Sequence, residues 1–308
     1  MDVQRLELLR ELAERHSITE VARATHRTPS AVSQQLKVLE REAGLPLTER
    51  SGRGIILTDA GRALARSATD VAVALERATA AWDEFRNRAT GEVSLVTFPT
   101  AGQMLLPGVL QDLVEVDGLV LNCTDMDPEL SDFPALTAEF DIVLAHTMRG
   151  QLSWGGRGLK VVPLMTEPLD VGLPAEHRLA GRASVGPADV VGETWISVPE
   201  GFSFERVLHE IEQEGGGRLN VTQRFSDMRI IEACIMAGLG IALVPRYTSG
   251  RSQPGRLVLK PLRGVDAERH IVALMRPDRA ERLAVRTVVD VLRSRAVRVQ
   301  AEHTAAAS

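Results

Sequence analysis

Between Leu64 and Phe85, apolar residues return in alternating steps of four and three: Leu64, Ala68, Val71, Leu75, Ala78, Trp82, Phe85. This is the heptad seam of a helix that lays one narrow stripe against a partner. Thr58 is placed to cap that helix, and Asp59 falls in its first turn, where negative charge is favoured. About 30 residues at ~1.5 Å each make a rod on the order of 45 Å. Such a rod divides the chain into a part before and a part after, and its stripe needs something to cover it. The same helix of a second copy meets that need, with Leu64, Val71, Leu75 and Trp82 at the interface. Packing within its own chain is the alternative.

Ahead of the rod, Thr28 to Gly44 (TPSAVSQQLKVLEREAG) reads as a helix with two unlike faces. Val32, Leu36, Leu39 and Ala43 recur at helical spacing and face a core. Ser30, Ser33, Gln34, Lys37 and Arg41 fall on the other side. Thr28 suits the N-cap, Pro29 the first helical position and Gly44 the stop. Gln and Ser hydrogen-bond base edges, while Lys and Arg meet phosphates, so this face suits a DNA major groove. From this stretch alone, an ordinary amphipathic surface helix is an equal reading. The neighbours favour the first. Thr19–Thr25 is a short helix with small residues at Ala22 and Ala24, and His26-Arg27 is a tight connection, which together make a helix-turn-helix. Asp2 caps a first helix that buries Leu6, Leu9 and Leu12. After Gly44, two short apolar segments flank Ser51–Gly54 and make a hairpin, with Arg53 at its tip and Arg50 at its base. Beside a helix-turn-helix this reads as a wing rather than a plain turn. The candidate DNA contacts are Arg27, Thr28, Pro29, Ser30, Ser33, Gln34, Lys37, Arg50 and Arg53.

Charge agrees with a local DNA surface. The 308-residue chain has a net charge of −5, which argues against a nonspecific nucleic-acid coat. Residues 1–89 carry 14 Lys and Arg against 13 Asp and Glu, leaving 22 against 28 for the rest. Between Val21 and Leu39 stand Arg23, Arg27 and Lys37 and no acid. Cys123 and Cys234 each sit in an apolar run and read as buried small hydrophobes, a redox role being the lesser alternative. No signal peptide precedes the first helix, and no apolar run approaches the ~20 residues of a membrane span, so a cytoplasmic location is expected. The Ala-rich end is expected to be disordered.

From Gly91 the pattern becomes strands alternating with helices. Val93–Phe98, Leu119–Cys123 and Asp141–Ala145 read as strands, with helices from Pro99 to about Val116 (interrupted at Pro107) and over Asp127–Glu139. This βαβαβ run implies a parallel sheet. A second unit follows: strands over Leu159–Leu164, Leu169–Leu173, Trp195–Val198, Leu219–Phe225 and Ile241–Val244, with helices over Phe204–Gln213 and Asp227–Ala237. Strands at Leu257–Lys260 and Ile271–Met275 and a helix over Ala280–Val297 complete it. The chain crosses between the units near 162–166 and returns near 262–268, as in hinged two-lobed proteins that close on small molecules.

At this point the chain resembles the LysR-type transcriptional regulators, over residues 2 to about 298. The resemblance is carried by Pro29-Ser-Ala-Val-Ser33, Leu39-Glu40, Gly44, Leu45-Pro-Leu47, Glu49-Arg50, Leu57-Thr58-Asp-Ala60-Gly61 and Ala237-Gly-Leu-Gly-Ile-Ala-Leu-Val-Pro245, with Leu105-Leu-Pro107 and Phe140-Asp-Ile-Val143. Three positions depart from the pattern. Pro29 stands where the family often carries Gln, and Thr48 and Leu9 where it often carries Phe. The fold implied is α/β, with an N-terminal winged helix-turn-helix (1–58), a linker and dimerisation helix (59–90) and a periplasmic-binding-protein-like effector domain (91–298). Lobe I of that domain is 91–161 plus 267–298, lobe II is 162–266, and 299–308 is a tail. The partners implied are double-stranded promoter DNA, a small-molecule effector and the chain itself, as homodimer or homotetramer, with no membrane and no cofactor.

In such a fold the ligand lies between the lobes, at strand C-termini and helix N-termini. Lobe I offers Thr100 and Ala101, at a helix start suited to an anion, with Thr124, His146 and Thr147. Lobe II offers Pro199, Gly201, Phe202 and Ser203. His146 at a strand end is expected to give pH-sensitive pairing to an anion. Asp125 and Asp127 read as a turn. No phosphate loop, metal-spaced cluster or G-x-S-x-G occurs in the sequence, which argues against an enzyme. A regulator that needs no effector, its cleft filled by side chains, is the closest rival. An enzyme or a solute-binding protein on the two-lobed domain is more remote.

Overall fold

The computed structural model describes all residues except 52–53, 87–88, 149–153, 155–157, 251–254 and 308. They form two compact units, one of residues 1–90 with Arg276–Arg286, the other of Gly91–Met275 with Thr287–Ser308.

In the first unit the helix signals act where they stand. Asp2 caps α1 (Val3–Arg15), and the Thr28 hydroxyl accepts from the Ala31 N–H at the start of α3 (Pro29–Ala43); α2 (Ile18–Ala24) begins ahead of the expected Thr19 and is capped by Ser17. Gly44 ends α3 at φ 71°, a left-handed position that suits glycine. Leu6, Leu9, Leu12, Val21, Val32, Leu36 and Leu39 form the shared core. The wing is β1 (Thr48–Ser51) paired antiparallel with β2 (Gly54–Leu57); Arg53 at its tip lies outside the described residues. Two features dock the wing. The Glu40 carboxylate accepts from the Leu47 N–H at 2.9 Å, the Thr48 N–H at 3.0 Å and the Thr48 hydroxyl at 2.9 Å. Gly61 lets α4 (Asp59–Phe85) approach so closely that a Cβ there would lie 2.0 Å from the Leu47 carbonyl oxygen.

The seam of α4 divides in two. Leu64 packs partly against the winged-helix core beside the buried Ala65 and Ala68, so this end is half-covered within its own chain. Beyond it Val71, Leu75, Trp82 and Phe85 are exposed, and Trp82 stacks on Phe85. Residues Arg276–Arg286 add a buried ion cluster. Arg276 donates to Glu11 at 2.6 Å, Glu11 also accepts from Arg15, and Arg10 pairs with Asp278 at 2.5 Å. Burial pushes the Glu11 and Asp278 carboxyls up, but their arginines outweigh it and hold both below the usual range.

The second unit is built on one mixed sheet. β3 (Gly91–Thr97) lies between β4 (Leu119–Asp125) and β5 (Ile142–Met148), parallel to both, as the βαβ pattern requires. β6 (Lys160–Pro174) and β11 (Glu268–Met275) are the crossing strands. β11 runs antiparallel between β5 and the first half of β6; the second half of β6 pairs with β9 (Ala242–Pro245) and β10 (Leu257–Pro261). In the second lobe β7 (Thr194–Ser197) pairs parallel with β8 (Asn220–Arg224). Gly240, at φ 159°, lies where a Cβ would meet the Thr194 carbonyl oxygen at 2.7 Å. Trp195 is fully buried and donates its indole N–H to the Val190 carbonyl. The helices are α5 (Pro99–Leu113), α6 (Phe133–Leu136), α7 (Pro187–Val190), α8 (Glu205–Gly215), α9 (Met228–Met236) and α10 (Leu283–Ala307).

Several expectations need correction. α5 runs through Pro107 without a break, forgoing one helical hydrogen bond. Only the four residues of α6 are helical in 127–139. The strands expected at 159–164 and 169–173 are one strand, β6. The tail expected to be disordered from 299 is helical to Ala307, where Gln300 donates to the Thr166 carbonyl and His303 lies against Tyr247. Cys123 is exposed, because β4 is a sheet edge rather than a covered strand, and Cys234 is half-buried on α9. Among the described residues, no helix is long and apolar enough to cross a membrane.

Candidate functional site

Two surfaces carry chemistry. The first is the outer face of α3. Thr28, Pro29, Ser30, Gln34 and Lys37 are exposed and Ser33 half-exposed, because the heptad-like run Val32, Leu36, Leu39 turns the opposite face inward. Arg27, in the turn before α3, donates to Gln4 at 3.3 Å. Arg50 projects from β1 and is exposed. Among the described residues, no carboxylate pairs with Arg27, Lys37 or Arg50, so these charges stand open to an anionic partner.

The second surface is a cavity of about 680 Å³ in the second unit. At its base lies Arg269 on β11, only 2% exposed. Its guanidinium donates to Glu167 of β6 through Nε at 2.8 Å and Nη2 at 2.5 Å, and Nη2 also donates to the Thr100 hydroxyl at 2.8 Å. The other Glu167 oxygen accepts from the Tyr247 N–H at 2.9 Å. Arg269 also lies against the rings of Phe98 and Phe204, at 5.1 and 5.9 Å from their centroids. The first turn of α5, with Pro99 at its start and no side-chain cap, opens beside it.

His146 is buried among the rings of Phe98, Phe133 and Phe204. A 2.8 Å hydrogen bond joins its Nδ1 to Ser203 Oγ. Burial, reinforced by Arg269, drives its pKa well below the usual histidine value. His146 is therefore a neutral bridge between the lobes and not the pH-sensitive anion partner that its strand-end position suggests.

The remaining charged groups at the cavity are arranged differently. Arg229 grips the Asp227 carboxylate with both Nε and Nη2. Glu232 accepts from the Gly250 N–H at 3.5 Å. Asp127 lines the cavity with no hydrogen-bond or ion-pair partner among the described residues. Burial raises its pKa to about 6, against the pull of Arg269. Thr248 is 7% exposed, lines the same cavity, and its hydroxyl has no hydrogen-bond partner among the described residues.

Of the expected effector contacts, Thr100, Thr124, His146, Phe202 and Ser203 line this cavity. Ala101 is wholly buried in the core behind it, and Pro199 and Gly201 lie outside the lining. Thr147 follows His146 on β5 and points to the opposite face of the sheet, as strand alternation requires. Arg269, Glu167, Asp127, Asp227, Arg229 and Thr248 belong to the cavity or its base and were not expected there. No local signal singles out the central pair: Glu167 shares β6 with Lys160 and Asp170, and Arg269 stands between Glu268 and His270 at the start of β11. No cluster of His, Cys, Asp and Glu among the described residues is arranged to hold a metal ion.

Comparison with known proteins covers nearly the whole chain. The family model described as "Bacterial regulatory helix-turn-helix protein, lysR family" matches residues 3–62, and that described as "LysR substrate binding domain" matches residues 86–297. The transcriptional dual regulator GltC of Bacillus subtilis is 27% identical over 282 residues, 91% of this chain and 92% of that protein. The dual regulator OxyR of Escherichia coli is 24% identical over 96% of each chain. Among solved structures, a full-length OxyR variant from Pseudomonas aeruginosa superposes with a TM-score of 0.65 at 20% identity, covering 95% of this chain and 98% of that one. Full-length CbnR with its target DNA superposes at 0.52 and 22% identity, covering 96% and 100%.

The raised pKa of Asp127 has a measurable sign. The folded protein binds this proton more tightly than the unfolded chain, whose aspartate titrates near ~3.9. Asp127 therefore imposes no cost below about pH 4, and the cost grows as pH rises through about 6. Asp127→Asn is expected to melt at the same temperature as the parent at pH 4 and several degrees higher at pH 8. An equal offset at both values would mean that ionisation of Asp127 costs the fold nothing.

Proposed function

Because the chain belongs to the LysR family of DNA-binding transcriptional regulators, we propose that it binds promoter DNA in the cytoplasm as a homodimer or homotetramer. On this reading a small anionic effector held in the inter-lobe cavity governs that binding. The carrying observation is the cavity itself, with an uncapped helix start on one wall.

The DNA half rests on α3. Its exposed hydroxyls and the Gln34 amide are suited to base edges, and Lys37, Arg27 and Arg50 to phosphates. Once genomic mapping has given the bound sites, fluorescence anisotropy tests the roles. Gln34→Ala is expected to cost about 1–3 kcal/mol on the mapped sequence and to relax preference there. Lys37→Ala is expected to weaken all DNA and reduce the salt slope by about 1. An unchanged binding-site pattern for Gln34→Ala would remove the base-reading role.

The assembly half rests on the exposed stretch of α4. Val71, Leu75 and Trp82 continue the heptad stripe beyond the point where the chain covers it. Two such helices would bury these side chains against each other and place two α3 helices for two half-sites. Leu75→Glu is expected to shift the sedimentation coefficient to that of a monomer, since a buried unpaired carboxylate is costly. A variant that sediments like the parent would place the interface elsewhere.

For the effector half, backbone N–H groups at the start of α5 and the Thr100 hydroxyl together favour an anion. An effector acts only through unequal affinity for two arrangements of the protein. Calorimetry with small mono- and dicarboxylates is the test. Thr100→Val keeps the side-chain volume and is expected to weaken any binder about fivefold, or about 1 kcal/mol. A carboxylate that binds both proteins equally would remove the α5 start from the site.

A further inference from the structure

We propose that the effector is a zwitterion of amino-acid size, its carboxylate at the start of α5 and its ammonium against the Asp127 carboxylate. This rests on the inter-lobe cavity being the effector site.

The charges around the cavity are not equally satisfied. Arg269, the deepest cation, is held by Glu167 behind it. Arg229 is held by Asp227. Neither arginine is a free countercharge. What remains open on the side-chain ledger is negative: Asp125 and Asp127 have no ion-pair partner among the described residues. What remains open on the backbone is positive, at the uncapped first turn of α5.

A simple dianion would satisfy the helix start and face the Asp127 carboxylate with its second charge. A simple amine would satisfy Asp127 and leave the helix start without an acceptor. A molecule carrying one group of each sign satisfies both walls. An ammonium beside Asp127 would also make the ionised carboxylate less costly, since charge-assisted hydrogen bonds are the strong ones. Burial has otherwise lifted that carboxyl to about 6.

An independent feature points to a polar occupant. The Thr248 hydroxyl is buried, lines the cavity and has no hydrogen-bond partner among the described residues. A hydroxyl in that state loses free energy unless something in the cavity completes it. A purely hydrocarbon occupant would leave it unpaired. The cavity volume of about 680 Å³ is in the range that holds small molecules.

The test uses the full chain at pH 7.5, thermal melting as a screen and calorimetry for affinity. The probes are the common L-amino acids and the ω-amino acids from β-alanine to 6-aminohexanoate. Each is matched to the carboxylic acid lacking its amine and to the amine lacking its carboxylate. The expected result is at least one amino acid that binds about tenfold or more tighter than both matched probes. Asp127→Asn is expected to abolish its advantage over the matched acid, and Asp127→Glu to restore part of it. Thr100→Val is expected to weaken the amino acid and the matched acid alike. If the matched acids bind as tightly as the amino acids in both the parent and Asp127→Asn, the zwitterion is overturned while the anionic effector stands. If the amines alone bind, both the zwitterion and the anionic effector fall. If no class binds, both fall as well.

Discussion

The second unit depends on one buried ion pair. Arg269 and Glu167 stand on the two strands that cross between the lobes, and both are withdrawn from water. Two such charges are tolerable only because every side of the pair is occupied. Glu167 receives the Tyr247 N–H and Arg269, while Arg269 bonds Thr100 and rests on Phe98 and Phe204. Losing either partner alone would strand the other, at a cost of about 3–5 kcal/mol. The pair therefore fixes more than itself. It sets the register of β11 against β6, the position of the α5 start, and the packing of one aromatic residue from each lobe. The cavity is what remains open once those constraints are met.

The legible part of the molecule was the part held by neighbours in sequence. Asp2, Thr28 and Thr58 cap the helices they precede, and Pro29 and Gly44 bound α3, because a cap acts over three or four residues. The parallel order of β3, β4 and β5 was legible for the same reason, since an alternating βαβ run admits few topologies. The exposed face of α3 followed from periodicity alone.

The illegible part was held by distant partners. Glu167 and Arg269 meet across 102 positions, and no local pattern announces it. His146 looked like a ligand because it ends a strand. Ser203 and three phenylalanines, all remote in sequence, make it a neutral structural bridge. Leu64 continues the heptad stripe without a break, yet the winged-helix core reaches it and covers part of it. Cys123 sat in an apolar run that periodicity cannot tell from a covered strand; its exposure follows from the place of β4 at the sheet edge.

The Glu40 clasp separates two kinds of change along a short stretch of chain. The side chains of Ser33, Gln34 and Lys37 project outward and hold nothing else in place, so they can be exchanged without moving the backbone. Glu40 and Gly61 touch no outside surface of that kind, yet between them they seat the wing on α3 and α4. The region is thus two-tiered in what it tolerates. Substitutions on the outer face of α3 leave the backbone where it stands, whereas one at Glu40 or Gly61 displaces helix and wing relative to each other in a single step.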